Sequence, residues 1–241
     1  MNRAVRGVAW GALALLMTTG CSSTDGGVPV DAMMANVSSI PKGPSVTPVD
    51  GLRPGQVDTL LLSDDDVSTV VGLPMHRTGL WRKPARVVTL RDRNECKVLT
   101  VSDLDFWTTD FTAFRQTAQK DSDEMNFFAW QGVGTYPNGS TASRVFQRTL
   151  NAGLESRCRT ALVPAEDDEQ TVWHVDALTI TDTEFAVTLT KQRDGELAGW
   201  RCATQIRTRR NVIQRQGACQ MGNPSTTTQQ LADITTDRIG G

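Results

Sequence analysis

Residues 185–219 read FAVTLTKQRDGELAGWRCATQIRTRRNVIQRQGAC. Phe185, Val187 and Leu189 alternate with polar neighbours, the period-two pattern of a strand with one buried face. Asp194-Gly195 marks a hairpin, because a two-residue turn between twisted strands requires positive φ that Asp and Gly tolerate. Trp200, Cys202, Thr204 and Ile206 share one face of the next strand, and residues 211–219 return beside it. Cys202 and Cys219 are equidistant from the Arg210-Asn211 step. A hairpin turning at that step sets them opposite each other on neighbouring strands, so they are expected to pair. With residues 171–180 reading as a further strand, three or four consecutive antiparallel strands follow.

Helices are expected on both sides of this meander. Ser63 caps a short helix whose first turn holds Asp64, Asp65 and Asp66, whose buried face is Val67, Val70 and Val71, and which Gly72 and Pro74 end. Three consecutive carboxylates point in different directions on a helix, so they read as capping and dipole compensation rather than metal ligands. Residues 87–90 (Val-Val-Thr-Leu) are expected to form a strand leading to Cys96. Around Phe111, Phe114 and Ala118 the spacing fits a helix, while residues 113–118 also fit a strand. Residues 125–136 read as an aromatic strand ended by Pro137-Asn138-Gly139. Residues 143–159 read as one helix with Phe146, Leu150, Leu154 and Cys158 on a single stripe, and Pro224 opens a last helix through Leu231 and Ile234. The class is α+β: a twisted, mainly antiparallel sheet with packed helices.

The N-terminus points outside the cytoplasm. Arg3 and Arg6 precede an apolar stretch, residues 8–17, too short to span a bilayer, and Thr18-Thr19-Gly20-Cys21 follows. This reads as a lipoprotein signal peptide (residues 1–20) with Cys21 as the lipidated residue, although Thr18 stands where the pattern usually has Leu. Residues 21–56 read as a flexible tether, with five of the ten prolines and no aromatic residue; a coil of that length reaches roughly 30 Å. Residues 57–241 are then one domain. A single acyl chain anchors only marginally, so the membrane attachment implied is the multiply acylated, palmitate-bearing kind on the extracytoplasmic face of the cell membrane.

Export fixes how the other cysteines read. Cys96, Cys158, Cys202 and Cys219 are an even set in an oxidising compartment, which predicts two disulfides, Cys96 with Cys158 by elimination. Removing Arg3 and Arg6 with the signal turns 25 basic and 27 acidic side chains into 23 and 27, a net charge of −4, which gives no reason to expect nucleic acid. His76 and His174 belong to no catalytic or metal motif and read as structural or surface residues; no catalytic residue, metal or cofactor is expected. Trp81, Trp107, Trp130, Trp173 and Trp200 suit either a concave ligand site or the core, with the core preferred. Arg207, Arg209 and Arg210 read as a solvated basic turn.

The ordered landmarks resemble a known family. They are Leu60-Leu61-Leu62-Ser63, Gly72 with Met75, Cys96, the Phe146-to-Cys158 helix, Trp173, Gly199-Trp200-Arg201-Cys202, Asn211-Val212-Ile213, Ala218-Cys219 and the helix through Ile234 and Ile239. In this they are similar to the PknH-like sensor domain, the extracytoplasmic part of a mycobacterial serine/threonine kinase that also occurs alone in mycobacterial lipoproteins. The resemblance implies the same two disulfides, a strongly twisted sheet, a strand near Phe114 and an open cleft for an unidentified ligand. Signalling through an attached kinase does not carry over, since neither a kinase domain nor a transmembrane helix is expected in this chain. Three functions remain in order: a lipid-anchored binder of a small molecule or envelope component, a module that docks an envelope protein, and an envelope hydrolase.

Overall fold

The computed structural model describes residues 51–165, 168 and 170–240; the expected signal peptide, Cys21 and most of the expected tether lie outside them. The elements in chain order are α1 (Val57–Leu60), α2 (Asp64–Val71), β1 (His76–Trp81), α3 (Leu104–Trp107), β2 (Ala113–Lys120), β3 (Phe127–Thr135), α4 (Gly139–Thr149) and α5 (Ala152–Cys158). Then come β4 (Leu162–Pro164), β5 (Thr171–Ile180), β6 (Glu184–Arg193), β7 (Glu196–Arg209), β8 (Val212–Met221) and α6 (Ser225–Gly240). Among the described residues one eight-stranded sheet runs β1-β2-β3-β8-β7-β6-β5-β4 with every neighbouring pair antiparallel. Two meanders, β1 to β3 and β4 to β8, are thus joined edge to edge where β3 meets β8.

The hairpins form where the local chemistry directs them. Asp194 and Gly195 both have positive φ (52° and 85°), and Arg193 pairs with Glu196 across that turn. Arg210 also has positive φ, and Arg209 pairs with Val212. The register that follows puts Cys202 opposite Cys219, and the two are bonded; Cys96 is bonded to Cys158. The side chain of Asn211 pins the turn: its Oδ1 accepts from Leu52 N at 2.7 Å, and its Nδ2 donates to Leu52 O and Tyr136 O. Folded contacts therefore reach back into the segment read as tether, to Leu52.

Strand alternation sends neighbouring residues to opposite faces. On one face α6 crosses β7 and β8, with α1 and α2 beside it. Leu62, Val67, Met75, Phe127, Ala129, Ala218 and Leu231 form its apolar part. Glutamines complete it. Gln131 both donates to Leu62 O and accepts from Leu62 N, Gln214 donates to Ala232 O, and Gln216 donates to Thr235 Oγ1. On the other face α3, α4 and α5 cover one end of the sheet, burying Phe106, Trp107, Phe114, Tyr136, Phe146, Leu150, Leu154, Ile206 and Ile213.

Three expectations need correction. Residues 87–90 are not a strand: Val88 N donates to Asp103 Oδ2, Val88 O accepts from Lys97 Nζ and Leu90 N donates to Asn94 Oδ1, so side chains satisfy the backbone that a partner strand would have paired. The single long helix is two, because Asn151 leaves helical conformation and caps α5 by accepting from Leu154 N. The basic turn is not simply solvated: Arg207 is buried between Glu184 at 3.3 Å and Asp233 at 2.7 Å, and Arg210 donates to Ile239 O. At Phe114 the strand is the observed form.

Candidate ligand-binding cleft

Register alone maps the uncovered end of the helix-α4 face as a set of rows. The first, at the sealed end, is Phe114, Gly134 and Ile213. The second is Gln116, Gly132, Arg215 and Ile206. The third is Ala118, Trp130, Gly217 and Thr204, and the fourth is Phe128, Cys219, Cys202 and Leu189. Gln116 and Arg215 of the second row, with the side chains of the third and fourth, floor an open cleft of about 390 Å³, a volume within the range of small-molecule sites.

Glycine makes the floor flat where it matters. A Cβ on Gly217 would lie 2.1 Å from Cε2 of Trp130, so the indole lies directly over the Gly217 backbone. In the sealed region the same device holds Trp107, whose ring lies over Gly132 and Gly134. Trp107 is fully buried and half-buried Trp130 is not, although both lie over glycines of this sheet.

The wall is residues 99–102, which emerge from a 3-10 turn, Asn94–Leu99. Cys96 in that turn is bonded to Cys158 of α5, which fixes the wall to the helical layer. Lys97 donates to Asp103 at 3.0 Å and pairs with Asp105; burial alone would lower the Lys97 ammonium, but these two carboxylates outweigh it and raise it. Trp107 Nε1 donates to Ser102 Oγ at 2.9 Å, and Arg215 Nη1 donates to Val101 O at 2.8 Å. Trp81 at the end of β1 stands 45% exposed at the mouth, and Trp173 of β5 closes the far side.

Three of the five tryptophans therefore line the cleft, which corrects the preference for the core; Trp107 alone of the five is fully buried. Trp200 lines a separate shallow hollow with Met125 and Lys191. His76 and His174 stand outside the cleft, His174 paired with Asp176 at 2.9 Å. Asp66 caps α2 with Ser63 and holds Arg238 at 2.9 Å, while Asp64 pairs with Arg77. Cys202 and Cys219 sit on the cleft floor, a placement their pairing did not reveal. Arg215 and Gln116 were missed, although the alternation Ile213, Arg215, Gly217, Cys219 already set Arg215 on the face of the disulfide.

Comparison with known proteins agrees with this architecture. The model of the PknH-like extracellular domain matches residues 52–238. The chain belongs to this family. The crystal structure of the extracellular domain of PknH from Mycobacterium tuberculosis superposes on this PknH-like domain with a TM-score of 0.70 at 18% identity. The match covers 80% of this chain and 98% of that one, so the fold is shared over essentially the whole relative. No curated protein sequence is detectably similar to this chain. Among the described residues no helix is long and apolar enough to cross a membrane.

Proposed function

We propose that this PknH-like domain is an extracytoplasmic sensor that captures a small molecule or cell-envelope component in the cleft over β2, β3, β8 and β7. It would be held at the outer face of the cell membrane by lipid on Cys21. The observation that carries the reading is the aromatic lining. Trp81, Phe128, Trp130 and Trp173 present ring surface to a concavity that the fold leaves uncovered, where burial by a ligand would release water from apolar area. Among the described residues the lining holds no histidine, carboxylate or free thiol, which favours binding over hydrolysis.

Native mass spectrometry of the protein taken gently from its own envelope tests this. A reproducible added mass that disappears on denaturation, and is lost in Trp130→Ala, is expected; a bare mass refutes capture of a tightly held ligand. Cys21→Ala should move the protein from the membrane to the soluble fraction, and retention in the membrane would count against the lipid anchor. One feature favours the second reading, an envelope-protein partner. Trp81 is 45% exposed at the cleft mouth, Leu80 is 46% exposed on the opposite face of the same edge strand, which is open to pairing, and Val87 beyond it is 53% exposed. Crosslinked protein partners in place of an added mass would support it.

A further inference from the structure

Arg215 is the one charged side chain among the described residues that line the cleft, and it is only 1% exposed. A buried guanidinium is ordinarily matched by a carboxylate, because removing its charge from water is otherwise expensive. Here no carboxylate among the described residues lies within ion-pair distance. Asp103, the negative charge that acts on it through space, is engaged by Lys97 Nζ at 3.0 Å and by the amides of Val88 and Asp105. Desolvation accordingly pushes the Arg215 pKa down to about 10, still protonated at neutral pH.

The hydrogen bonds are as incomplete as the charge. Nη1 donates to Val101 O, while Nε is buried with no partner. The Nε–Nη2 edge of a guanidinium is the fork that grips a carboxylate or phosphate through two parallel hydrogen bonds. Arg215 stands in the innermost row of the cleft, where the aromatic floor ends and the sealed core begins. Gln116 stands in the same row beyond Gly132, and its buried Oε1 also lacks a partner. Polar groups without partners are thus gathered at the inner end, and apolar rings at the outer end.

Resting on the cleft as the binding site, we propose that its ligand is an anionic amphiphile: a carboxylate or phosphate ester whose acid group is taken by Arg215 at the inner end and whose apolar body lies on Trp130 and Phe128. The chemistry common to these ligands is an acid head on an apolar body, whichever acid it is. A neutral apolar ligand would leave the guanidinium buried and unmatched, and a hydrophilic anion would leave the rings wet.

The test uses residues 22–241 with both disulfides formed, and two fluorescent probes that share one aromatic body. These are 8-anilinonaphthalene-1-sulfonate and the neutral N-phenyl-1-naphthylamine. The sulfonate is expected to bind tighter by on the order of tenfold to a hundredfold, the range of a charge-assisted hydrogen bond. Arg215→Met should erase that preference, bringing the ratio of the two probes' affinities to about one. Equal binding of both probes, or a preference that survives Arg215→Met, overturns the anionic ligand while leaving the cleft as a binding site. Failure of both probes to bind overturns the cleft reading itself. Should Arg215→Met not fold, octanoate, octyl phosphate and octanol competing for the neutral probe on the unaltered chain decide the matter. Stronger displacement by octanoate or octyl phosphate than by octanol is expected, against the chain's net negative charge, and equal displacement by all three refutes the proposal. Octyl phosphate against octanoate then ranks the two acids, with tighter binding than octanol required of at least one.

Discussion

The two faces of strands β8 and β7 differ in how they end. On the α6 face the outward side chains meet the helix along the length of the strands: Gln214, Gln216 and Ala218 from β8, and Gln205 and Arg207 from β7, each have a partner in α6 or pack beneath it. On the opposite face the same strands are covered only at one end. Ile213 and Ile206 lie under the α3–α5 layer, and Arg215 marks the border; beyond it Gly217, Thr204 and the Cys202–Cys219 bridge face the cleft. A sheet longer than the helices packed on it exposes a strip of its own interior-facing side, and that strip is what a ligand can complete.

The contrast between sealed and open surface should be largest in side-chain truncations. Phe146→Ala removes a fully buried ring beneath α4 and is expected to lower unfolding free energy by about 3–5 kcal/mol in urea titrations. Trp130→Ala, on the open floor, should lower it by less than about 2 kcal/mol while reducing ligand uptake. Comparable losses for the two would mean that the cleft is structural core.

The two bridges give a second contrast. Cys96 and Cys158 are 62 residues apart and fasten the sealed end, whereas Cys202 and Cys219 are 17 apart on the cleft floor. Loop-closure entropy puts their removal at about 4 and about 3 kcal/mol. Replacing each pair with alanine and comparing urea midpoints checks the order; a larger loss for the hairpin bridge would contradict it.

A smaller effect is expected at Gly217. Gly217→Ala places a methyl group where the Trp130 indole lies, so the ring must leave the floor. Stability should fall by about 1–3 kcal/mol, and Trp130 fluorescence should shift towards that of an exposed indole. An unchanged spectrum would show that the indole does not lie flat on the floor.

The smallest concerns the α6 face. Burial alone would raise the Asp66 carboxyl, but hydrogen bonds with Ser63 and Arg238 outweigh it and hold it below the usual carboxylate range. Its stabilising contribution is therefore complete above the unfolded pKa, near 3.8, and is lost as pH falls through the folded value. Asp66→Asn should flatten the loss of stability as pH falls below about 4, with the partial exposure of the pair limiting the effect to a modest one. An unaltered acid profile would show that Asp66 does not link α2 to α6 through its charge.

Much of the fold was legible. Alternation, two turn dipeptides and the symmetric cysteines were enough for β6 to β8 and their bridge, because each is a local rule with a short reach. The Ser63 cap and the Gly72 stop likewise depend only on their neighbours. What failed was what depends on distant coverage. Trp107 and Trp130 both lie over glycines on the same sheet face, yet one is core and one is cleft floor, and only the extent of α3 to α5 separates them. Residues 87–90 look like a strand by composition, but Asp103, Lys97 and Asn94 supply the partners. The Leu150-Asn151 break was concealed by apolar spacing that continues across it, since Leu150 and Leu154 are both buried. Arg215 could have been placed on the interior-facing side from alternation, but not its lack of a carboxylate.

The decisive measurement is hydrogen exchange on the full chain with and without a lipid extract of its own envelope. Capture in the cleft predicts slowed exchange in residues 99–102 and along the exposed ends of β3 and β8, with the α6 face unchanged. Protection confined to β1 and the exposed residues 80–87, with none at 99–102, would contradict a ligand in the cleft and point to a docked protein instead.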